Sequence, residues 1–143
     1  MTVAAILAQK GRDVVTIDPD KTIGDAVTML GAHKIGALVV VENRDRILGI
    51  VSERDIVKGL ARKGSTMLGD TVASIMTKKV VTCIERETLN DVMGRMTRGR
   101  FRHLPVAAGG RLTGIVSIGD VVKARIEEVE HEAEDMRTYI ATA

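Results

Sequence analysis

The chain of 143 residues repeats itself. Val72-Ala73-Ser74-Ile75 aligns with Val3-Ala4-Ala5-Ile6, Val81-Thr82 with Val15-Thr16, Thr88 with Thr22, Asp91 with Asp25, Leu104 with Leu38 and Val106 with Val40. The strongest match closes each copy, where Gly49-Ile50-Val51-Ser52-Glu53-Arg54-Asp55 faces Gly114-Ile115-Val116-Ser117-Ile118-Gly119-Asp120. The offset shrinks along the chain, so small length changes fall between the matching blocks, where loops tolerate them. Such a chain has to fold as one unit used twice.

Each copy reads in the same way. Val14 to Ile17 is a short extended segment, broken by Asp18-Pro19-Asp20. Thr22 has the form of an N-cap with Asp25 three residues on, a capping box with Asp in place of the usual Glu. Ile23, Ala26, Val27 and Leu30 follow at helical spacing, and Gly36 is expected to end that helix. Ala37 to Val41 is an apolar run of strand length, Glu42 to Asp45 a polar turn, and Ile47 to Val51 a second strand. Ser52 then caps a helix from Glu53 to about Ala61. The second copy gives a helix from Thr88, a strand from His103 to Ala107, a Gly109-Gly110 turn, a strand from Leu112 to Val116 and a helix from Ile118. The expected organisation is a first repeat over 3–61, a linker over 62–70, a second repeat over 71–125 and a C-terminal helical extension over 126–143. A βαββα unit of about 55 residues is marginal alone, and its sheet keeps one face bare. The expected fold is therefore α+β, two βαββα repeats packed sheet to sheet about a pseudo-twofold axis. Two related clefts would lie at the joint.

Composition excludes several classes of function. The formal net charge is only +2, so nothing draws the whole molecule to nucleic acid or to a membrane surface. Phe101 and Tyr139 are the only aromatic residues, which leaves no stacking platform for single-stranded nucleic acid. Cys83 is the single cysteine, so an internal disulfide is impossible and a reducing, cytoplasmic setting is expected. Met1 to Lys10 does not read as a secretory signal, and no stretch approaches the roughly 20 apolar residues of a membrane span.

The closing block carries the chemistry. Ser52 and Ser117 stand at helix N-termini, where free N–H groups and the helix dipole favour an anion. Asp55 and Asp120 lie in the first turn, and an ionised carboxylate is purely an acceptor. A ribose cis-diol offers two adjacent donors to such a group, so the pair suits a nucleoside phosphate. Ser and Asp are also common as simple caps, and both readings stand at this level.

The doubled βαββα order, with Gly-Ile-Val-Ser-x-x-Asp closing each copy, resembles a pair of cystathionine β-synthase (CBS) domains, or Bateman module, from about Val3 to about Arg125. The resemblance implies a regulatory module that binds AMP, ADP, ATP or another adenosyl compound, NAD-type ligands and S-adenosylmethionine included, and that has no catalytic residues, catalytic cofactor or metal of its own. It also implies which positions hold the ligand. A main site would combine Ser52, Arg54 and Asp55 with Thr77, Lys78, Val80, Val81, Phe101, Arg102 and His103. Val81 and the backbone near Phe101 would hold adenine, while Arg102, His103 and Lys78 would face phosphate. A second site would combine Ser117 and Asp120 with Ala8, Lys10, Val15, Gly36 and Ala37. Lacking the cationic pair Arg102 and His103, it is expected to bind phosphate more weakly. The resemblance further implies a homodimer acting on an unidentified partner protein. The competing reading is a structural or interaction module with no physiological nucleotide, and a third is an enzyme subunit separated from its catalytic domain.

Other features are less specific. Lys78-Lys79, Arg95, Arg98, Arg100 and Arg102 make the second copy basic, which suits a solvated helix face, phosphate attraction or, least well, duplex nucleic acid. His33, His103 and His131 share no ligand spacing with Cys83, so zinc is not expected. Cys83 aligns with Ile17 and reads as a buried apolar residue. His103 could titrate near neutral pH. No catalytic triad or Walker A loop is present. Val122, Ile126, Val129, Ala133, Met136 and Ile140 are spaced alternately by four and three, a heptad seam flanked by acidic residues. It could pack back on its own module or meet a second subunit.

Overall fold

The protein is described by a computed structural model covering residues 1–142. In chain order the elements are α1 (Val3–Lys10), β1 (Thr16–Ile17), α2 (Ile23–His33), β2 (Ala37–Glu42), β3 (Arg46–Ser52), α3 (Glu53–Lys63), α4 (Leu89–Gly99), β4 (His103–Ala108), β5 (Arg111–Ser117) and α5 (Ile118–Thr142), with short 3-10 turns at Ser65–Gly69 and Val72–Ser74. The two βαββα repeats are present. Capping boxes start α2, α3 and α4, at Thr22/Asp25, Ser52/Asp55 and Thr88/Asp91. The same reciprocal pair opens α5, where the Ser117 amide donates to Asp120 Oδ2 at 2.9 Å and the Asp120 amide donates to Ser117 Oγ at 3.2 Å. Asp at the third helical position thus completes the box as Glu does.

Gly36 does not end α2. The left-handed turn falls two residues earlier, at Lys34 (φ 55°), and its counterpart after α4 is Arg100 (φ 55°). The Lys34 amide already reaches the Leu30 carbonyl there, so the helix is closed before Gly36 is reached.

Each repeat contributes an antiparallel hairpin. β2 runs against β3 from Ala37↔Ser52 to Glu42↔Arg46, and β4 against β5 from His103↔Ser117 to Ala108↔Arg111. Both hairpins break register at the same place, at Val40/Val41 and at Val106/Ala107. β1 lies parallel to β2, and the full order is β1-β2-β3-β5-β4. The halves meet edge to edge at Arg46↔Arg111, where the Leu112 amide donates to the Asp45 carbonyl at 2.7 Å. The second copy has no full counterpart of β1; only Cys83 bridges to Val106. As expected, Cys83 is buried, and burial pushes its thiol up to about 12.

The packing units cut across the repeats. One core gathers Ile17, Ile23, Leu38, Val40, Val51 and Ile56 with Met67 and Val72. The other gathers Leu89, Val92, Met96, Leu104, Val106 and Val116 with Val3, Ile6 and Leu7 from α1. Each entry segment therefore completes the core of the other copy. Residues 62–70, expected as linker, are partly structural: Arg62 and Lys63 extend α3, and Met67 is 1% exposed in the first core.

The glycine of each closing block explains how the segments cross. A Cβ on Gly114 would lie 2.8 Å from a Leu7 methyl. A Cβ on Gly49 would lie 2.7 Å from Met76 Sδ and 2.9 Å from the Thr77 carbonyl oxygen. Only glycine leaves room for the incoming segment, and only at Gly49 is the obstacle backbone, which cannot turn aside. Gly49→Ala should therefore cost about 1–3 kcal/mol in urea unfolding, and Gly114→Ala less. Equal costs would show that the Thr77 backbone yields as readily as a leucine side chain.

Candidate functional site

Backbone hydrogen bonds at the crossing build the site. The Ile50 amide donates to the Thr77 carbonyl at 3.0 Å and the Thr77 amide to the Ile50 carbonyl at 2.8 Å. This clip carries residues 77–81 alongside the end of β3 and the start of α3. The turn after α4 and the first residue of β4 supply the opposite wall. Between them lies a cavity of about 610 Å³. Ser52, Arg54, Asp55, Thr77, Val80, Val81, Phe101, Arg102 and His103 all line it, as expected for the main site. Lys78 does not: it lines a separate recess with Ile47 and Thr82. Lys79 takes the place on the main cavity. Gly36, expected in the second site, lines this one.

Ser52 and Asp55 are held by each other. The Ser52 amide and hydroxyl donate to Asp55 Oδ2 at 2.9 and 3.1 Å. Oδ1 receives no hydrogen bond from the described residues, so the cap leaves one carboxylate oxygen to accept from a ligand. The helix terminus itself is less open than expected. The Glu53 amide donates to the Gly36 carbonyl at 3.0 Å and the Asp55 amide to Ser52 Oγ at 3.4 Å. Arg54 reaches across the cleft to donate to the Arg100 carbonyl at 3.2 Å.

The walls are electropositive. Arg54, Lys58, Lys79, Arg100 and Arg102 outnumber the two carboxylates, Glu53 and Asp55. His103 is not a standing member of that set. Burial pulls its imidazole below the usual value, and Lys10 and Arg102 act the same way against the opposing pull of Glu53 and Asp120. These effects favour the neutral ring, so the fixed positive charge belongs to the arginines and lysines. The ring faces Gly36, whose Cβ would lie 3.1 Å from His103 Cε1. A side chain at position 36 would require the imidazole to shift by a few tenths of an ångström.

The residues expected in the second site are set apart by one contact. Lys10 Nζ lies 2.6 Å from Asp120 Oδ2 and donates to the Ile115 carbonyl at 2.9 Å. Partial burial raises the Asp120 carboxyl, but the bonds from Lys10 and Ser117 outweigh it and hold it below the usual carboxylate range. Lys10 and Asp120 were expected side by side in one site; they are, as partners of each other. Ala8 is exposed on α1, Val15 packs against the first core and Ala37 is buried at the start of β2.

The family model of the CBS domain matches residues 7–62 and again residues 72–127. The chain belongs to the CBS-domain family. This CBS pair superposes on the CBS-domain protein ATU1752 of Agrobacterium tumefaciens with a TM-score of 0.84 and 53% identity, over 87% of this chain and 99% of that one. It is similar to the CBS domain pair of MJ0100 in complex with 5′-methylthioadenosine and S-adenosyl-L-methionine (TM-score 0.79, 27% identity, 90% of this chain and 98% of that one). It is also similar to the CBS domain protein PAE2072 of Pyrobaculum aerophilum complexed with AMP (TM-score 0.75, 26% identity, 84% and 89%).

Several cavity residues of this CBS pair went unread in the sequence. Lys58 lies one turn beyond Arg54, and that spacing was available as a signal. Arg100 carries a left-handed backbone that no local pattern announces. Lys79 rather than Lys78 is a question of one residue in an irregular segment, where periodicity gives no guidance. Among the described residues, no helix is long and apolar enough to cross a membrane.

Proposed function

We propose that this CBS pair is a regulatory module, not itself an enzyme, that binds a phosphate-bearing adenine nucleotide in the cavity between Ser52/Asp55 and Arg102/His103. The observation that carries the reading is the arrangement of charge. One carboxylate oxygen of Asp55 is open to a ribose diol, and five fixed cations line the same cavity. A volume of about 610 Å³ is within the range of small-molecule sites. Val80 and Val81 supply apolar surface for the base. AMP in PAE2072 and adenosyl ligands in MJ0100 support the choice of ligand class. Excess positive charge favours AMP, ADP, ATP or an NAD-type ligand over S-adenosylmethionine, whose sulfonium would meet like charge.

The test is a thermal-shift panel with AMP, ATP, NAD(H) and S-adenosylmethionine. A ligand present at a hundredfold excess over its Kd stabilises the folded state by about 2.7 kcal/mol, a rise in Tm of roughly 5–10 °C for a domain of this size. The phosphate-bearing ligands should produce it and S-adenosylmethionine should not. No shift with any nucleotide at millimolar concentration would sink the proposal. On this reading the module is a cytoplasmic homodimer. Occupancy of the cavity would favour one relative setting of the two repeats, to the extent that affinity differs between settings, and a partner protein would sense that setting.

A further inference from the structure

We propose that the C-terminal helix α5 pairs with α5 of a second copy as a parallel, in-register two-stranded coiled coil. The proposal deepens the homodimer reading by assigning its interface, and it does not depend on the nucleotide.

The helix has two unlike faces. Val121 and Ala124 are 1% and 4% exposed and pack on the second core. The opposite face carries Val122, Ile126, Val129, Met136 and Ile140, exposed to between 49% and 67%, with Ala133 between them. From Val129 to Thr142 every residue is exposed, and none of them belongs to either core, so the last part of α5 projects beyond the packed module. A fully exposed helix of that length is marginal in water by itself. A row of large apolar side chains along it calls for a covering surface.

The spacing and the flanking charges decide which surface. Taking Ile126, Ala133 and Ile140 as a positions and Val122, Val129 and Met136 as d positions accounts for every member of the row. The e positions are then Lys123, Glu130 and Arg137, and the g positions include Arg125 and Glu132. In a parallel in-register pair, each g residue meets the e residue five places on in the other chain. That sets Arg125 against Glu130 and Glu132 against Arg137, both attractive, and each occurs twice by symmetry. An antiparallel pair centred on the same stretch sets Glu130 against Glu130 and Lys123 against Arg137, both repulsive. The charges thus select a second copy of this chain, oriented the same way. Arg125 also binds Glu128 within its own helix at 3.1 Å, so the cleaner test lies at Glu132 and Arg137.

The test uses the full chain, by sedimentation equilibrium and oxidative cross-linking. Wild type should be dimeric. Val129→Asp/Met136→Asp, which alters only exposed residues, should weaken the dimer at least about a hundredfold with the circular dichroism of the module retained. Glu132→Arg and Arg137→Glu should each weaken it about tenfold, and the double exchange Glu132→Arg/Arg137→Glu should restore it. Ile140→Cys should cross-link to its own counterpart on oxidation, because in-register a positions face each other; buried Cys83 takes no part. A monomeric wild type, a dimer that survives Val129→Asp/Met136→Asp, or failure of Ile140→Cys to cross-link in a dimer would each overturn the proposal. The second and third outcomes would leave a homodimer formed through another surface.

Discussion

Leu7→Ala should destabilise the chain by about 2–5 kcal/mol, with the loss felt in the second half of the sequence rather than around residue 7. Leu7 is 1% exposed and packs with Leu89, Leu104 and Val116, against the close approach at Gly114. Truncation leaves a cavity at the centre of the α1 contact, between Val3 and Ile6 on one side and β5 on the other. The loss is a large part of the 5–15 kcal/mol that keeps a domain folded. Native-state hydrogen exchange should show protection falling along β4, β5 and α4, while β2 and β3 keep more of theirs. For the same reason residues 71–142 alone, lacking α1, should not reach the folded state. A cost below about 1 kcal/mol, or a folded second half without α1, would contradict the crossed packing.

Asp55→Ala should weaken binding of AMP or ATP ten- to a hundredfold in titration calorimetry, and Asp120→Ala should weaken it less. A charge-assisted hydrogen bond is worth about 1.5–3 kcal/mol, and 1.4 kcal/mol is tenfold. The asymmetry has a structural cause beyond the missing basic residues. Asp120 already holds the Lys10 ammonium at 2.6 Å, which offsets the charge it could offer a ligand diol. Asp55 also keeps one carboxylate oxygen outside its cap but has no cationic partner among the described residues, so its full charge faces the cavity. Since Asp55 also caps α3, the alanine variant carries a folding cost of about 0.5–2 kcal/mol. Asp55→Asn keeps an oxygen for the cap and removes the charge, so it should reproduce the loss in affinity with a smaller loss in stability. Equal affinities in the Asp55 and Asp120 variants would remove the assignment of the main site.

Much of this was legible in the residues, and the pattern of what was not is instructive. The repeat, the four capping pairs and the hairpins depend on local chemistry, so Thr22 with Asp25, or Gly109-Gly110 between β4 and β5, could be read directly. Nine of the ten residues expected in the main site line one cavity, because the closing block and the entry segment bear fixed relations to strands that were themselves readable. The crossing of α1 to the far core was not readable. Periodicity says which face of Val3–Lys10 is apolar but not which sheet receives it. The burial of Met67 was hidden by its polar neighbours. The Lys10–Asp120 pair was seen as two candidate ligand contacts, since a sequence does not say when two groups of one site satisfy each other. Gly36 reads locally as a helix stop, whereas its close neighbour in the fold is His103 of the other repeat.

The crossed packing also sets an order of events during synthesis. The core that includes Met67 and Val72 draws on nothing beyond residue 76, so it can close while the ribosome is still making the remainder. The apolar face of α1 is made before its partners, which end at Ala124, and is sheltered only after them. At 5–20 residues per second the wait is roughly 6–23 s. In that interval Val3, Ile6 and Leu7 are open to chaperones and to α1 segments of neighbouring nascent chains, which makes α1 the region most exposed to misassembly.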